Sequence, residues 1–396
     1  MKLLPKIWLA SGKDHSLKRF HPWVFSGAIK KVEGEVNDGD IVEVFSAKNE
    51  FLGMGHYQTG SIAVRIFSFE QVTPDASFWE AKIQSAYNFR KRTGVVKDEN
   101  TNVFRLIYAE GDGLPGLIVD VFQDTAVLQA HSIGMHYAKN EISIGLQKVL
   151  GEQLKAIYDK SAETLPPQAS ENAKNEYLWG TPGNSQLVLE NGHNFYVDWE
   201  EGQKTGFFID QRENRALLGS YAPGRKVLNT FCYTGGFSIY ALKAGAQLVH
   251  SVDSSKKAIA LTDKNVELNG FKEPQHQSFA KDTFEFFKNT EEKYDLIILD
   301  PPAFAKSHKV RHNAVMGYKR LNAEAIRKIS PGGILFTFSC SQAVDKILFQ
   351  NTIMAAAIEA GRNIRIMHQL SHPADHPVNI FHPEGEYLKG LVLYVE

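Results

Sequence analysis

One acid stands at the end of an apolar segment, directly before two prolines. Residues 294–299 predict a buried strand, and Asp300 follows it. The next residues are Pro301, Pro302 and, two positions on, Phe304. Paired prolines stiffen the backbone that leaves the strand. This pattern, an acid at a strand tip followed by a rigid turn and an aromatic ring, indicates a rigid loop, here called the lip, that covers a planar substrate. The alternative is that the prolines only end the strand.

A cysteine is the second candidate for chemistry. Residues 334–339 predict another strand, and Cys340 follows it, forty residues after Asp300. If the strand order is 3-2-1-4-5, the two strands are neighbours and both side chains lie at the carboxyl edge of the sheet, where ligands bind. A thiol there is a candidate nucleophile, although a buried structural cysteine is the more common case. For Cys232, inside a turn at the same edge, we expect packing against the ligand that the turn binds.

A strand followed by a turn of small residues comes earlier in the chain. Residues 227–230 predict the strand, and Gly235 and Gly236 lie in the turn. Such a turn lets the backbone approach a ligand closely, or it serves only tight packing. It lacks the glycine spacing that pyrophosphate binding requires. The predicted cofactor-binding residues of this segment are Asn229, Phe231, Tyr233, Thr234, Gly235 and Phe237.

Two further acids favour an adenosine ligand. Asp253 ends the next predicted strand, eighteen residues after Gly235, where a carboxylate can accept both ribose hydroxyls. Asp282 ends a third strand, where it could receive the adenine amino group or cap a helix. An adenosine without pyrophosphate fits S-adenosylmethionine better than NAD. The predicted cofactor set is completed by Ser254, Thr283, Asp300 and Pro301.

Three regions must position these residues. Residues 1–72 predict a compact β-rich unit, and residues 73–175 predict a small α+β unit that ends in a linker at 161–176. Residues 176–396 begin with a hairpin and continue as alternating strands and helices. That alternation predicts an α/β fold with a parallel sheet covered by helices on both faces.

Composition limits the class of protein. The 396 residues suit two or three domains, and 44 Lys and Arg against 45 Asp and Glu exclude a uniformly polybasic chain. Two cysteines exclude a disulfide scaffold, a four-thiolate zinc site and an iron–sulfur cluster, so we expect no metal and a cytoplasmic location. Pro5 and Lys6 interrupt the first apolar stretch, and no run reaches membrane-spanning length, so we expect no membrane attachment.

Charge is nevertheless concentrated in one place. Residues 303–328 contain seven Lys and Arg against Glu324 alone, directly after the Pro-Pro lip. Part of this segment predicts a solvated helix face. Its position beside the proposed active site favours contact with phosphates, for which Lys306 is the predicted residue.

The cofactor and catalytic motifs resemble known methyltransferases. Residues 229–237, Asp253, Asp282 and 300–302 are similar to the motifs of class I S-adenosylmethionine-dependent enzymes, which have a Rossmann-like domain. Residues 338–341, Phe-Ser-Cys-Ser, resemble the nucleophile motif of RNA cytosine-5 methyltransferases.

Other segments narrow the resemblance to one family. Residues 203–212 resemble the hallmark segment of the bacterial large-subunit rRNA methyltransferase I family. Residues 19–27 resemble the start of its N-terminal PUA domain, and residues 110–116 resemble its middle domain. The resemblance covers nearly the whole chain in the same order.

The resemblance implies a mechanism. The Cys340 thiolate adds to C6 of a cytosine in 23S rRNA, C5 takes the methyl group, and loss of the C5 proton expels Cys340. Asp300 holds or protonates the N3/N4 edge of a base that has left its stack. Many such enzymes carry a second cysteine where this chain has Ala303. The base that removes the C5 proton is therefore unassigned, with water or a group from 204–212 as options.

The resemblance also implies partners. These are rRNA, before or during subunit assembly, and a second copy in a homodimer. The predicted substrate contacts are Pro302, Phe304, Lys306, Lys204, Thr205, Gly206, Phe207, Asp210, Arg212, Arg19 and His21. Two rival functions stay open: methylation of a guanine or adenine nitrogen, which needs no thiol, and a non-catalytic RNA-binding assembly factor.

Overall fold

The protein forms two compact units. A computed structural model describes residues 4–96, 99–171, 173–182, 186–304 and 311–396. Unit 1 comprises Met1–Val188, Asp198–Ile209 and Ala374–Gly385. Unit 2 comprises Leu189–Val197, Asp210–Pro373 and Glu386–Glu396. Among the described residues, every helix is too short or too polar to cross a membrane.

Unit 1 begins with a six-stranded sheet in the order β2-β6-β5-β4-β1-β3. Its elements are β1 Lys6–Leu9, α1 His15–Lys18, β2 Trp23–Phe25, β3 Ile29–Glu33, β4 Ile41–Phe45, β5 Phe51–Tyr57 and β6 Ile62–Ser68. Burial alternates along β4, so Val42 and Val44 point into the core. This is the β-rich unit that the sequence predicts.

A five-stranded sheet in the order β11-β10-β9-β8-β7 follows. Its elements are α2 Ala76–Arg92, β7 Val103–Tyr108, β8 Leu117–Phe122, β9 Thr125–Ala130, α3 Ile133–Tyr137, α4 Lys139–Leu150, β10 Ala156–Asp159, α5 Pro167–Ser170 and β11 Glu176–Gly180. The predicted linker contains α5, and β11 then pairs with β10 in antiparallel fashion. The sheet therefore continues past the predicted boundary at residue 175, and the three-domain division stays a prediction.

A late segment of the chain, Ala374–Gly385, packs within unit 1. The buried guanidinium of Arg90 binds the Asp112 carboxylate and donates to the Asp375 carbonyl at 2.9 Å. The Tyr108 hydroxyl donates to the Gly385 carbonyl at 2.6 Å. The sequence places this segment in the methyltransferase domain, because contacts across nearly 300 residues leave no local pattern.

Unit 2 contains a seven-stranded sheet in the order β16-β15-β14-β17-β18-β20-β19. The elements from residue 187 onward are β12 Leu187–Glu190, β13 His193–Tyr196, α6 Arg212–Tyr221, β14 Lys226–Thr230, α7 Gly236–Lys243, β15 Leu248–Asp253, α8 Lys256–Leu268, β16 His276–Ala280, α9 Thr283–Asn289, β17 Tyr294–Leu299, α10 Arg311–Lys328, β18 Ile329–Ser339, α11 Lys346–Ala360, β19 Ile364–Leu370 and β20 Lys389–Val395.

The first five strands of this sheet, in chain order, adopt the predicted order 3-2-1-4-5. β14 pairs in parallel with β15 and β17, and β17 pairs in parallel with β18. The antiparallel β20 then joins the edge of β18. Strand β18 starts at Ile329, five residues earlier than predicted, because a bulge lets Ile329 pair with Tyr294. The predicted α/β fold is confirmed.

Candidate active site

The tips of two neighbouring strands bring the predicted catalytic residues to one edge of the sheet. Leu299 of β17 pairs with Thr337 of β18. Asp300 follows Leu299 directly, and Cys340 lies three residues beyond Thr337, so both chains leave the sheet on the same side. The structure therefore places Asp300 and Cys340 at adjacent strand ends, as the predicted strand order requires.

Asp300 holds its proton unusually well. Burial and then the negative charge of Asp210 raise the pKa of its carboxyl from 3.8 to about 7. The Gln211 amide opposes this increase by donating a hydrogen bond to Oδ2 at 3.0 Å. Near neutral pH the carboxyl is thus divided between its acid and its base form, which suits proton transfer to a substrate.

The thiol of Cys340 is held in its protonated form. Burial, followed by the charges of Asp300 and Asp210, raises its pKa from 9.0 to about 11. The cation of Lys389 acts in the opposite direction. This lysine is 5% exposed, and its ammonium group donates to the Ser341 carbonyl at 2.6 Å. Attack by sulfur at neutral pH therefore requires removal of the thiol proton.

Asp210 is fixed beside these groups. It lies in the turn that leads into α6, and its Oδ2 accepts a hydrogen bond from the Tyr387 hydroxyl at 2.6 Å. Its Oδ1 is buried and has no hydrogen-bond partner among the described residues. Sequence reasoning missed Gln211, Tyr387 and Lys389.

The predicted cofactor turn follows β14. Phe231, Tyr233 and Gly235 have positive φ angles of 55°, 48° and 77°. Such angles are costly for residues with a side chain and cluster at ligand sites. A Cβ atom on Gly235 would lie 2.9 Å from Thr262 Cγ2, so this position requires glycine. The Asn229 side chain donates to Ser238 Oγ at 2.9 Å, and its buried Oδ1 is unpaired within the described chain.

Two acids are anchored beside that turn. Asp253 accepts backbone N–H groups from Tyr233 at 3.1 Å and Ser255 at 2.9 Å, one on each oxygen. Asp282 caps α9, because its Oδ1 accepts from Phe284 at 2.9 Å and Glu285 at 3.1 Å. A carboxylate oxygen can accept more than one hydrogen bond, so both groups can still receive ribose or adenine donors.

The other predicted cofactor residues differ in exposure. Thr234 and Phe237 are buried in the turn and the first helical residues after it, Thr283 is buried, and Ser254 is exposed. Cys232 is also buried, with Sγ 3.5 Å from Thr262 Oγ1, and burial raises the pKa of its thiol. Cys232 thus packs against Thr262 inside the turn, and its packing against a bound cofactor stays a prediction. Asn229, Asp253 and the strained backbone are the groups that fit an adenosine ligand.

The lip after Asp300 differs in detail from the prediction. Pro301 is buried and Pro302 is exposed. The Phe304 ring packs onto Tyr318 of α10, with ring centroids 4.7 Å apart, so it supports the lip instead of standing free to stack on a base. Lys306 lies outside the described residues.

The side chains of segment 204–212 differ in burial. Thr205 is buried and donates to Asp120 at 2.6 Å, and Phe207 is also buried, so both side chains pack internally in this structure and their contact with substrate stays a prediction. Lys204 is exposed, with a positive φ of 55°, and Gly206 has a φ of 112°. Arg212 is buried, and its Nε lies 3.5 Å from Glu213.

Arg19 and His21 are the predicted RNA contacts of the first unit. Arg19 is exposed. His21 Nε2 lies 3.4 Å from Glu384, and the ligand atoms of His21, His382 and Glu384 are all within 4.8 Å of one another. His21 Nδ1 accepts the Trp23 N–H at 3.2 Å, so the proton of a neutral ring sits on Nε2 and points to Glu384. That tautomer has no lone pair for a metal at Nε2.

Part of the positive charge of the basic helix α10 is paired within the chain. Lys319 and Arg327 both pair with Glu359, at 2.9 Å and 3.1 Å, and Arg327 also pairs with Glu324. Lys328 donates to the Thr290 carbonyl at 2.6 Å. These contacts use charge that the sequence assigned to phosphates, and Arg311 at the start of the helix is exposed.

Comparison with known protein families identifies two domains of the chain. Residues 164–383 match the family model of S-adenosylmethionine-dependent methyltransferases, and residues 7–69 match the model of PUA-like domains. The chain is 38% identical over 394 residues to "Ribosomal RNA large subunit methyltransferase I" of Aeromonas hydrophila, covering 98% of each chain. It is 36% identical to the Klebsiella pneumoniae protein of the same name, covering 99% of each.

Solved structures show the same fold. A Streptococcus mutans protein described as an S-adenosylmethionine-dependent methyltransferase superposes with a TM-score of 0.84 at 24% identity, covering 99% of this chain and 100% of that one. A methyltransferase structure complexed with S-adenosylhomocysteine gives 0.85, with the same identity and coverage. At this identity the similarity concerns the fold alone.

Proposed function

The chain belongs to the ribosomal RNA large subunit methyltransferase I family, an S-adenosylmethionine-dependent group, and from that premise we propose that it methylates C5 of a cytosine in large-subunit rRNA. The observation that carries the proposal is the placement of the Cys340 thiol and the Asp300 carboxyl at adjacent strand tips, each influenced by the charge of Asp210. A nitrogen methyltransferase needs no such thiol.

The two residues perform complementary steps. Cys340 gives up its proton to solvent and its sulfur forms a bond to C6, which pushes the ring electrons toward N3 and makes C5 nucleophilic. Asp300, in its acid form, donates a proton to N3 as charge develops there. Bound S-adenosylmethionine supplies an electrophilic methyl group for C5. When a base takes the C5 proton, the C5–C6 double bond re-forms and Cys340 leaves as thiolate. N3 returns its proton to the Asp300 carboxylate, which restores the neutral ring and the acid form of Asp300.

The raised pKa values suit this sequence of events. A pKa of about 7 leaves Asp300 protonated in a large share of molecules near neutral pH. A pKa of about 11 keeps Cys340 as the less reactive thiol until substrate is present. Asn229, Asp253 and the turn at Gly235 would hold the adenosine part of the cofactor, and the PUA-like domain supports binding to RNA.

Product analysis tests the proposal. The purified protein is incubated with S-adenosylmethionine and rRNA from a strain that lacks the gene, and the nucleosides are separated and weighed by mass spectrometry. We expect 5-methylcytidine in large-subunit rRNA, at a position that fragment mapping will locate. A methylated guanine or adenine, or an exocyclic methylated amino group, would refute C5 chemistry.

Variants of the two cysteines separate chemistry from folding. Cys340→Ala should abolish the product while S-adenosylmethionine still binds in calorimetry. Cys232→Ala, at the same sheet edge, should keep both. Product formation by Cys340→Ala would contradict the covalent mechanism, and lack of cofactor binding by the unaltered protein would favour an assembly factor.

The cytoplasmic location and the homodimer are further parts of this proposal, to be tested by cell fractionation and sedimentation.

A further inference from the structure

We propose that Asp210 accepts a hydrogen bond from the exocyclic N4 amino group of the target cytosine and thereby distinguishes cytosine from uracil. This inference rests on the proposed function, since it assigns a specificity-determining residue to that reaction. It concerns a residue whose role in the reaction follows neither from the Asp-Pro-Pro motif nor from the cysteine motif.

An unpaired buried oxygen is the first observation. Asp210 is 9% exposed, and Oδ1 has no hydrogen-bond partner in the described parts of the chain. Its other oxygen accepts from the Tyr387 hydroxyl at 2.6 Å, which fixes the carboxylate in orientation. Buried polar atoms are nearly always paired in native proteins, and leaving an acceptor unpaired is costly. Oδ1 is therefore the kind of atom that a ligand satisfies.

The position of this oxygen is the second observation. The charge of Asp210 raises the pKa of both Asp300 and Cys340. Gln211, the next residue, is within hydrogen-bond distance of Asp300 at 3.0 Å. Because Gln211 follows Asp210 directly and Asp300 lies at the strand tip beside that of Cys340, the Asp210 carboxylate is held near the place where the reacting ring must sit.

The chemistry of the two carboxyl groups matches one base edge. An ionised carboxylate only accepts hydrogen bonds, whereas a protonated carboxyl can donate one. Cytosine presents a donor at N4 beside an acceptor at N3, while uracil presents an acceptor at O4 beside a donor at N3. Asp210 suits N4 and Asp300 suits N3 of cytosine. Uracil would place O4 against the Asp210 carboxylate, so like-sign partial charges would repel.

Binding measurements with base analogues test this assignment. Synthetic RNA oligonucleotides that span the mapped site carry cytidine, uridine or 2-pyrimidinone riboside, which lacks the amino group, at the target position. Dissociation constants are measured in the Cys340→Ala background, where no adduct forms. We expect cytidine to bind about tenfold more tightly than either analogue. With Asp210→Asn added, that preference should fall to about twofold or less, because the amide turns to offer either a donor or an acceptor.

Two controls keep the test sharp. Tyr387→Phe removes the group that orients Asp210 but leaves Oδ1 in place, so affinity should fall while the preference for cytidine survives. Asp295→Asn, at the amino end of β17 where the carboxylate accepts the Lys226 N–H at 3.0 Å, should change neither quantity. Calorimetry with S-adenosylmethionine should give the same affinity for all variants, which shows that each is folded.

The outcomes separate this proposal from the one on which it rests. An unchanged preference for cytidine in Asp210→Asn would overturn the role of Asp210. Accumulation of a covalent RNA adduct by Asp210→Asn in the Cys340 protein, with the preference intact, would overturn it too, because it would make Asp210 the base that takes the C5 proton. If the proposed function itself is wrong, the unaltered protein will not methylate the cytidine oligonucleotide at all.

Discussion

Two regions at the same sheet edge treat their polar groups in opposite ways. In the cofactor turn, residues 230–237, the adjoining acid Asp253 is tied to backbone N–H groups and the Cys232 thiol is buried against Thr262. At the catalytic edge, by contrast, Asp300 and Cys340 are only partly buried, their pKa values are raised, and Asp210 keeps a buried unpaired oxygen. In the first region the chain itself binds the acid and packs the thiol, and only Asn229 Oδ1 beside the turn is left without a partner among the described residues. In the second region the reacting groups themselves await a substrate.

The difference has a physical reason. A turn that binds a cofactor benefits from a rigid, preorganised backbone, and here it stores strain at Phe231 and Tyr233. A catalytic edge benefits from groups whose charge and hydrogen bonds are satisfied only when the reacting base arrives. The comparison predicts that changes in the two regions will affect different quantities.

The largest expected effect concerns the two thiols. RNA transcribed with 5-fluorocytidine should form a denaturation-resistant complex with the unaltered protein in the presence of S-adenosylmethionine. After sulfur has added to C6 and C5 is methylated, fluorine cannot leave as a cation, so the adduct persists. Gel electrophoresis in detergent should show the complex with Cys232→Ala and none with Cys340→Ala. A complex with the latter variant would place the nucleophile elsewhere.

The cofactor turn should respond to a single methyl group. Gly235→Ala should weaken S-adenosylmethionine binding by about 30- to 100-fold, or about 2–3 kcal/mol, because the residue has a φ of 77° and its Cβ would meet Thr262 at 2.9 Å. Gly245 has a φ of 89° but nothing within 4 Å of an added Cβ, so Gly245→Ala isolates the backbone strain.

Isothermal calorimetry measures both glycine variants. Gly245→Ala should lose stability but bind the cofactor with an affinity within about threefold of the unaltered protein. Equal affinities for the two variants would mean that the turn after β14 is not part of the cofactor site.

The catalytic edge should show the opposite behaviour, a gain of stability on mutation. Burial and the charge of Asp210 raise the pKa of Asp300 in the folded protein to about 7, against 3.8 ordinarily. The folded state therefore keeps this proton after the unfolded state has lost it, and stability falls as pH rises from about 4 to about 7. Asp300→Asn has no such proton to lose, so its free energy of unfolding at neutral pH should exceed that of the unaltered protein by about 1–2 kcal/mol, after allowance for partial solvent access.

Denaturant unfolding at about pH 4 and about pH 8 checks the sign. The gain from Asp300→Asn should be present at the higher pH and nearly absent at the lower one, whereas activity is lost at both. Asp295→Asn, at the amino end of β17, controls for the loss of one carboxylate away from the catalytic edge. A gain of equal size at both pH values would contradict the raised pKa.

The smallest effect concerns Lys389. Its positive charge lowers the pKa of Cys340, against the stronger effects of burial and two carboxylates. In a Cys232→Ala background, Lys389→Met should slow alkylation of Cys340 by iodoacetamide about three- to tenfold near pH 8, because less thiolate is present. Lys346, 54% exposed and paired with Glu386, provides the control Lys346→Met, which should react at the original rate. Faster alkylation of Lys389→Met would mean that Lys389 raises the pKa of Cys340, which would contradict this prediction.

The sequence alone determined the α/β sheet and the pair of reacting residues, Asp300 and Cys340, at its edge. Alternating strands and helices carry local apolar patterns, and the carboxyl ends of parallel strands share one edge, so Asp300 and Cys340 could be placed together before any coordinates. The N-terminal β-rich unit followed for the same reason. Motif similarity added the family and the cofactor, because those residues are close together in the chain.

Only the tertiary structure decided what surrounds the pair. Asp210, Tyr387 and Lys389 reach the catalytic edge from segments far from residues 300 and 340, and Ala374–Gly385 joins unit 1. Burial, the neighbouring charges and the unpaired oxygen of Asp210 arise from contacts across long sequence separations. No local periodicity encodes such contacts, so the sequence could identify the reacting groups but not the electrostatic environment that sets their protonation.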